Sequence, residues 1–347
     1  MREIVIVIAD LYLPLGADAA ASEAAAFAAV PGIEKLGRFG MRTRLAEGWR
    51  QWLARSVGCA ELASVAPACI AAAVLPPAEL AASQGVTSWI ATPVQLTAGL
   101  AHVHLDPRGI LRLPAADLAA LAADFTTTFG ASGFSLTPLP SGELLLRTPG
   151  IEPVETTEPA RCAGAGVAQA LPRGPAAAPL RRLIAEVEMW LHGLPLNEAR
   201  RRRSLPPVSA LWPWGATGRI VRAARCAGQA GLPAFGRDAW LEGLWHLQGS
   251  ACSALPPHLQ DVLATAGAER GVLVMEAGEE LQRAEQGTLA DALARLDARF
   301  VSPALQALRR GELSAVTLIV NDNRVRVQQH SLLKLWRRAR AGLTSFA

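Results

Sequence analysis

The sequence predicts an α/β protein: a mostly parallel sheet flanked by helices, with a small α+β subdomain inserted. Three observations carry this reading. Ile4 to Ile8, Gly271 to Met275 and Ala315 to Val320 are continuous apolar runs without alternation, as strands buried on both faces are. Segments with helical periodicity separate them. Residues 85–150 instead mix short strand-like runs, one helix and turn signals. A length of 347 residues, 51% of them hydrophobic, suffices for one large domain with a smaller insert. The expected division is a core of 1–84 and 179–347, an insert of 85–150, and a Pro/Gly/Ala-rich connection over 151–178.

Ile4-Val5-Ile6-Val7-Ile8 predicts the first buried strand, and Asp10 follows its end, where ligands sit in open α/β sheets. Pro31 to Gly40 predicts a helix because Ile33, Leu36 and Phe39 recur three apart; Gly48 to Val57, with Trp49 and Trp52, predicts another. Ala60 to Ala82, broken by Pro67, Pro76 and Pro77, reads as packed helices and turns. In the insert, Trp89-Ile90, Val94-Gln95-Leu96 and Val103-His104-Leu105 read as strands with Gly99 in a turn. Leu113 to Phe125 reads as a helix with Pro114 at its start and Leu118, Leu121 and Ala122 on one face. Phe134-Ser135-Leu136 and Glu143 to Leu146 read as strands around the turn Pro140-Ser141-Gly142.

Thr148 to Ala178 carries little periodicity and reads as a long connection over the surface. Pro179 to His192 returns to helix, with Leu180, Leu183, Ile184, Val187 and Leu191 on one face. Leu289 to Leu308 reads as a helix pair, or one helix interrupted near Pro303. Arg324 to Gln328 alternates Arg and Val as a half-exposed edge strand does. Ser331 to Arg340 reads as a basic terminal helix.

The net charge is only +4, and the one dense basic run, Arg200 to Arg203 with Arg181 and Arg182 upstream, reads as a solvated helix face. Aromatic residues do not interleave with it, so nucleic-acid association is not expected. Five cysteines, Cys59, Cys69, Cys162, Cys226 and Cys252, form no CxxC pair and read as scattered reduced thiols of a cytoplasmic protein. The apolar run Ile4 to Ala9 is too short for a signal segment, and the Ala-rich stretch 17–30 is too short and polar to span a bilayer.

Leu194-Pro195-Leu196-Asn197-Glu198-Ala199-Arg200, followed by Leu205-Pro206-Pro207-Val208-Ser209-Ala210-Leu211-Trp212-Pro213-Trp214-Gly215-Ala216-Thr217-Gly218, resembles a stretch of the archaeal-type cofactor-independent phosphoglycerate mutases. Ser209 stands where that pattern has Asn. Ala91-Thr92-Pro93-Val94-Gln95-Leu96 is similar to an A-D-P-V-H-L segment of their proteobacterial relatives, the RpfE-type regulatory proteins, with Thr92 for Asp and Gln95 for His. Pro303 to Gly311, the run 315–320 and Leu335-Trp336-Arg337-Arg338 resemble that group's closing segment. The resemblance covers roughly residues 85–340 and implies an alkaline-phosphatase-like fold. It also implies chemistry with two metal ions held by Asp and His around a Ser or Thr nucleophile.

Asp10 stands where the first metal Asp is expected, yet Leu11-Tyr12-Leu13 follow and the next hydroxyl is Ser22. After the run 271–275 come Glu276 and Glu279 with no His; after 315–320 come Asn321-Asp322-Asn323 instead of Asp-His, with His330 the nearby imidazole. His102 and His104 share a strand face, as a chelating pair or as surface histidines. Asp10, Glu276, Glu279 and Asp322 are thus the candidate ligands for a divalent metal, and no residue is assigned as catalytic. Asn197 and Arg200, three apart on one helical face, read either as an anion-binding pair or as a cap and an exposed Arg face, with Trp214 in the site or in the core. Gly215, in Gly215-Ala216-Thr217-Gly218-Arg219, reads as a turn opening a helix, either structural or, with Arg219, anion-binding. The expected role is regulatory binding of a protein partner or small anionic ligand; the alternative is an active mutase or phosphohydrolase with an altered site.

Overall fold

In a computed structural model the described residues are 2–12, 30–82, 85–99, 102–164, 166–217, 226, 231–265, 270–283, 287–320 and 322–333. The chain begins with β1 (Glu3–Ile8), α1 (Pro31–Phe39), β2 (Met41–Arg44) and α2 (Trp49–Ser56). Short helices α3 (Pro67–Ala71) and α4 (Pro77–Ala82) lead to β3 (Thr87–Ala98), β4 (Val103–Ile110), α5 (Ala115–Phe129), β5 (Ser135–Pro138) and β6 (Leu144–Thr148). Then come α6 (Ala178–His192), α7 (Pro195–Arg202), β7 (Ala210–Thr217), β8 (Ala234–Phe235), α8 (Ala239–Leu247) and β9 (Cys252–Ser253). The last part holds α9 (Leu259–Ala264), β10 (Arg270–Met275), α10 (Ala277–Arg283), α11 (Leu289–Leu296), α12 (Ser302–Arg309), β11 (Ala315–Val320) and β12 (Asn323–Gln328).

One unit comprises residues 1–63, 227–237 and 248–347. Its sheet has the order β2-β12-β11-β1-β10-β8-β9. β1 lies between β10 and β11, parallel to both, so the three apolar runs of the sequence are the three central strands. Ile4, Ile6 and Ile8 pack with Leu273, Val316 and Leu318 against Ile33, Leu36, Leu296, Phe300 and Leu308 from the helices. Each such side chain stabilises by roughly 1.5–3 kcal/mol when fully buried. The fold class is therefore mixed α/β with a mostly parallel sheet flanked by helices, as expected.

The edge-strand reading of Arg324 to Gln328 is corrected: β12 is an inner strand, antiparallel to β11 on one side and to β2 on the other. The half-exposed alternation itself holds: Val325 and Val327 are buried while Arg324 and Arg326 are half-buried with polar or aromatic partners. Arg326 Nε donates to Glu3 Oε1 at 3.2 Å, and the Arg324 guanidinium lies 5.4 Å from the Trp52 ring centre. The interruption expected near Pro303 is a five-residue π turn, Asp297–Val301, just before it. A proline ring displaces the carbonyl four residues back, and the wider turn relieves that conflict.

The other unit comprises residues 64–226 and 238–247. β3 is one twelve-residue strand where the sequence suggested two short ones. It pairs antiparallel with β4, β6 and β7, and β5 extends the sheet beyond β6. Pro93, which has no N–H, is accommodated within it and still accepts a bond from Leu111 N at 2.9 Å. Trp89, Leu118, Leu121, Phe125, Leu183 and Val187 form its core. Because β7 pairs with β3, residues 178–217 belong with 85–150 and not with 1–63, a different division from the expected one. The connection over 151–178 is not purely a surface loop: Ile151, Ala160, Cys162 and Val167 are buried.

The reading of all five cysteines as reduced thiols is also corrected: Cys59 and Cys226 are in disulfide form, while Cys69, Cys162 and Cys252 are in no disulfide. Cytoplasmic placement loses the cysteine argument on which it leaned. Among the described residues no helix is long and apolar enough to cross a membrane.

Candidate functional site

The carboxyl ends of β1 and β11 each carry an aspartate, Asp10 and Asp322, a third, Asp297, sits in the π turn, and each of the three holds the start of a helix. Asp10, two residues past β1, accepts from Ala277 N at 2.7 Å and Gly278 N at 2.6 Å, the first two amides of α10. Asp322, between β11 and β12, accepts from Trp49 N at 3.0 Å, the first amide of α2, and from the Tyr12 hydroxyl at 3.2 Å. Asp297, in the π turn, accepts from Gly32 N at 3.1 Å and Ile33 N at 2.8 Å in the first turn of α1, and from the Ser302 hydroxyl at 2.8 Å. An anion there satisfies amides that lack intrahelical partners and complements the helix dipole.

Burial and the neighbouring Glu276 charge push the Asp10 carboxyl up to about 7, against the downward pull of its two amide bonds. Burial likewise raises Asp297, opposed by its Ser302, Gly32 and Ile33 bonds. Glu279 pairs with Arg283 at 2.7 Å. Its neighbour Glu280 is buried, with Arg283 at 2.7 Å, Arg299 at 2.5 Å and Arg295 at 3.6 Å. Glu279 and Glu280 thus neutralise arginines.

Two-metal phosphotransfer needs about six hard ligands around an activated hydroxyl. Among the described residues no group of three or more His, Cys, Asp or Glu side chains is placed to hold a metal ion. Both oxygens of Asp10 and Oδ1 of Asp322 accept from backbone N–H groups, and among the described residues no histidine directly follows the carboxyl ends of β1, β10 or β11. These residues do not fit such a metal pair, and no catalytic step is derived through one.

No family model matches the chain, and no curated protein matches it. Among solved structures it is similar to the cofactor-independent phosphoglycerate mutase from Thermoplasma acidophilum DSM 1728, at 15% identity over 94% of this chain and 90% of that one, with a TM-score of 0.38. It is also similar to the PH0037 protein from Pyrococcus horikoshii, at 12% identity over 94% of this chain and 87% of that one, with a TM-score of 0.43. At these values neither likeness bears on activity.

Asn197, Arg200, Trp214 and Gly215 lie in the unit of residues 64–226 and 238–247. Asn197 is buried; its Nδ2 donates to Leu191 O at 2.7 Å and Val208 O at 2.8 Å, and its Oδ1 accepts from Val208 N at 2.8 Å. Arg200 is buried too, with Nε donating to Pro206 O at 2.9 Å and a terminal nitrogen 2.7 Å from Asp117 on α5. The carboxylate that Arg200 meets is therefore the chain's own. Trp214 Nε1 donates to Thr92 Oγ1 at 2.9 Å, and Thr92 Oγ1 donates to buried Glu143 at 3.0 Å. Gly215 is not in a turn that opens a helix: it lies inside β7 at φ 64, where the β3–β7 register shifts. A Cβ there would lie 2.9 Å from Pro67 Cβ. Arg219 lies outside the described residues.

Sequence reasoning missed Asp297, Glu280 and Glu143. Asp297 sits mid-helix in the predicted pattern, so nothing local marks it as a cap for residues 265 positions away. Glu143 opens a predicted strand, and only folding places it beside Thr92 and the amide of Ala239, 3.3 Å from its carboxylate.

Proposed function

We propose that the chain is a non-catalytic binding protein on an α/β scaffold, regulatory in the sense that the RpfE-type resemblance implies. What supports this is the employment of the strand-end carboxylates: Asp10 and Asp322 are each bonded to helix-initiating amides. A metal would have to compete with those bonds. The test is metal content and turnover of the purified chain after equilibration with Mn²⁺ or Zn²⁺. Less than one tightly bound ion is expected, with hydrolysis of p-nitrophenyl phosphate and interconversion of phosphoglycerates no faster than in Asp10→Ala. Two bound ions, with turnover that Asp10→Ala abolishes, overturn the proposal.

One observation favours a second reading, an altered-site phosphohydrolase. Asp10 carries a carboxyl pushed up to about 7 beside Glu276, a poise suited to proton transfer near neutrality. On this reading, phosphate-ester hydrolysis independent of added metal is lost in Asp10→Asn.

A further inference from the structure

A cavity of about 200 Å³ lies within the unit of residues 64–226 and 238–247. Its walls are mainly apolar and include Leu96 of β3, Val103 of β4, Leu171 of the connection, Ile184 of α6 and Trp212 of β7. Of the four large apolar side chains that the described residues expose, Val103 and Leu171 line it, and a third, Met189, is the sequence neighbour of Glu188.

Glu188 is the one ionisable side chain of the lining, one helical turn from Ile184 on α6. It makes no hydrogen bond or ion pair with any described residue. Burial alone raises its carboxyl above the usual range. The cation at the other end of the same helical stripe, Arg181, donates to Pro172 O at 2.9 Å and Gly174 O at 3.1 Å. The Trp212 indole N–H is also committed, to Thr157 O at 2.7 Å. A half-buried carboxylate facing an apolar cavity without a partner is costly, and a ligand that supplies a cation recovers that cost. Convergence of an apolar pocket with one such group is the usual form of a small-molecule site.

We propose that this cavity binds a small amine with an apolar body, its ammonium group paired with Glu188 and its body against Leu96, Ile184 and Trp212. Size limits the body: a dry cavity of about 150 Å³ accommodates benzene, so this one takes a single ring with a short arm. The choice of a cation distinguishes the site from the anion-binding role weighed for Arg200. Although it deepens the binding-protein reading, the site involves neither metal nor phosphate ester, so its failure leaves that reading standing.

The probes are benzylamine, its neutral isostere benzyl alcohol, and benzoate, titrated into the full chain by calorimetry or protein-observed NMR. Benzylamine is expected to bind about tenfold more tightly than benzyl alcohol, as a charge-assisted hydrogen bond allows, with benzoate weakest. Glu188→Gln is expected to remove the gap between amine and alcohol while the thermal unfolding midpoint stays unchanged. Ala170→Phe, which fills the cavity, is expected to abolish binding of both. Equal binding of amine and alcohol, a gap that survives Glu188→Gln, amine binding that survives Ala170→Phe, or no saturable amine binding in the millimolar range each overturn the proposal.

Discussion

Asn197 and Val208 bond to each other twice across eleven residues, the side-chain amide donating to the Val208 carbonyl at 2.8 Å and accepting from its N–H at 2.8 Å. The side chain imitates a strand, fixing the turn between α7 and β7. Asn197→Ala removes the side-chain partner of the Val208 carbonyl and N–H and one of the bonds to the Leu191 carbonyl, which keeps Leu194 N at 3.2 Å, in a buried setting. We expect a loss of about 3 kcal/mol in urea unfolding. Asn197→Asp, which sets a carboxylate oxygen against carbonyl oxygens, should lose at least as much. A stability unchanged in either variant removes the structural role and restores Asn197 as a ligand-facing group.

Glu280 is the shared counter-ion of Arg283, Arg295 and Arg299. The carboxylate is buried, but the arginine side chains are 24–50% exposed, so water screens much of the attraction. Glu280→Gln should lower stability by about 2 kcal/mol, less than for a fully enclosed triad. A shift of the urea midpoint too small to measure would show that solvent carries these arginines unaided.

Asp10 sets a pH dependence. Its folded proton affinity, raised to about 7 from 3.8, exceeds that of the unfolded chain. Between those values the folded state holds a proton that the unfolded state has released. This contribution is therefore fully present below about pH 4 and is lost as pH rises through about 7, by at most about 1.4 kcal/mol per unit. Compared with Asp10→Asn, the wild type should lose relative stability from pH 5 to pH 8 in thermal unfolding. The opposite slope would show that the amides of Ala277 and Gly278 outweigh burial and Glu276.

Gly32 is required by the close approach of Asp297. A Cβ there would lie 2.5 Å from Asp297 Oδ1 and 2.7 Å from Ser302 Oγ. Gly32→Ala should cost about 2 kcal/mol by forcing the cap away from α1, although alanine is the better helix former. Gly130→Ala, whose Cβ would meet only Thr126 Cγ2 at 3.5 Å, is the control and should change the melting temperature little.

The central sheet was legible because both its faces are covered, which leaves runs such as Ile4 to Ile8 and Val316 to Val320, the latter apolar but for buried Thr317. Helices with one buried stripe were legible for the same reason; Leu180, Leu183, Val187 and Leu191 are all buried. Strand partnership was not. Nothing in Asn323 to Gln328 tells that Met41–Arg44 pairs with its outer side, and nothing in Ala210 to Thr217 tells that it pairs with β3. At the strand ends, the acidic residues were legible as residues but not in their employment, because Asp10 and Asp322 meet amides 267 and 273 positions away. The Asn197–Arg200 pair was legible as one helical face; that both point inward to carbonyls and Asp117 depends on tertiary packing.

The placement of β1 between β10 and β11 imposes an order on synthesis. Residues 3–8 leave the ribosome well before their partners, residues 270–275 and 315–320. At roughly 5–20 residues per second, that strand waits about 15–60 s for both neighbours. The antiparallel sheet of β3 to β7 has every strand by residue 217 and can close long before. Until residues 270–275 and 315–320 are made, the apolar run Ile4 to Ile8 has neither of its sheet partners.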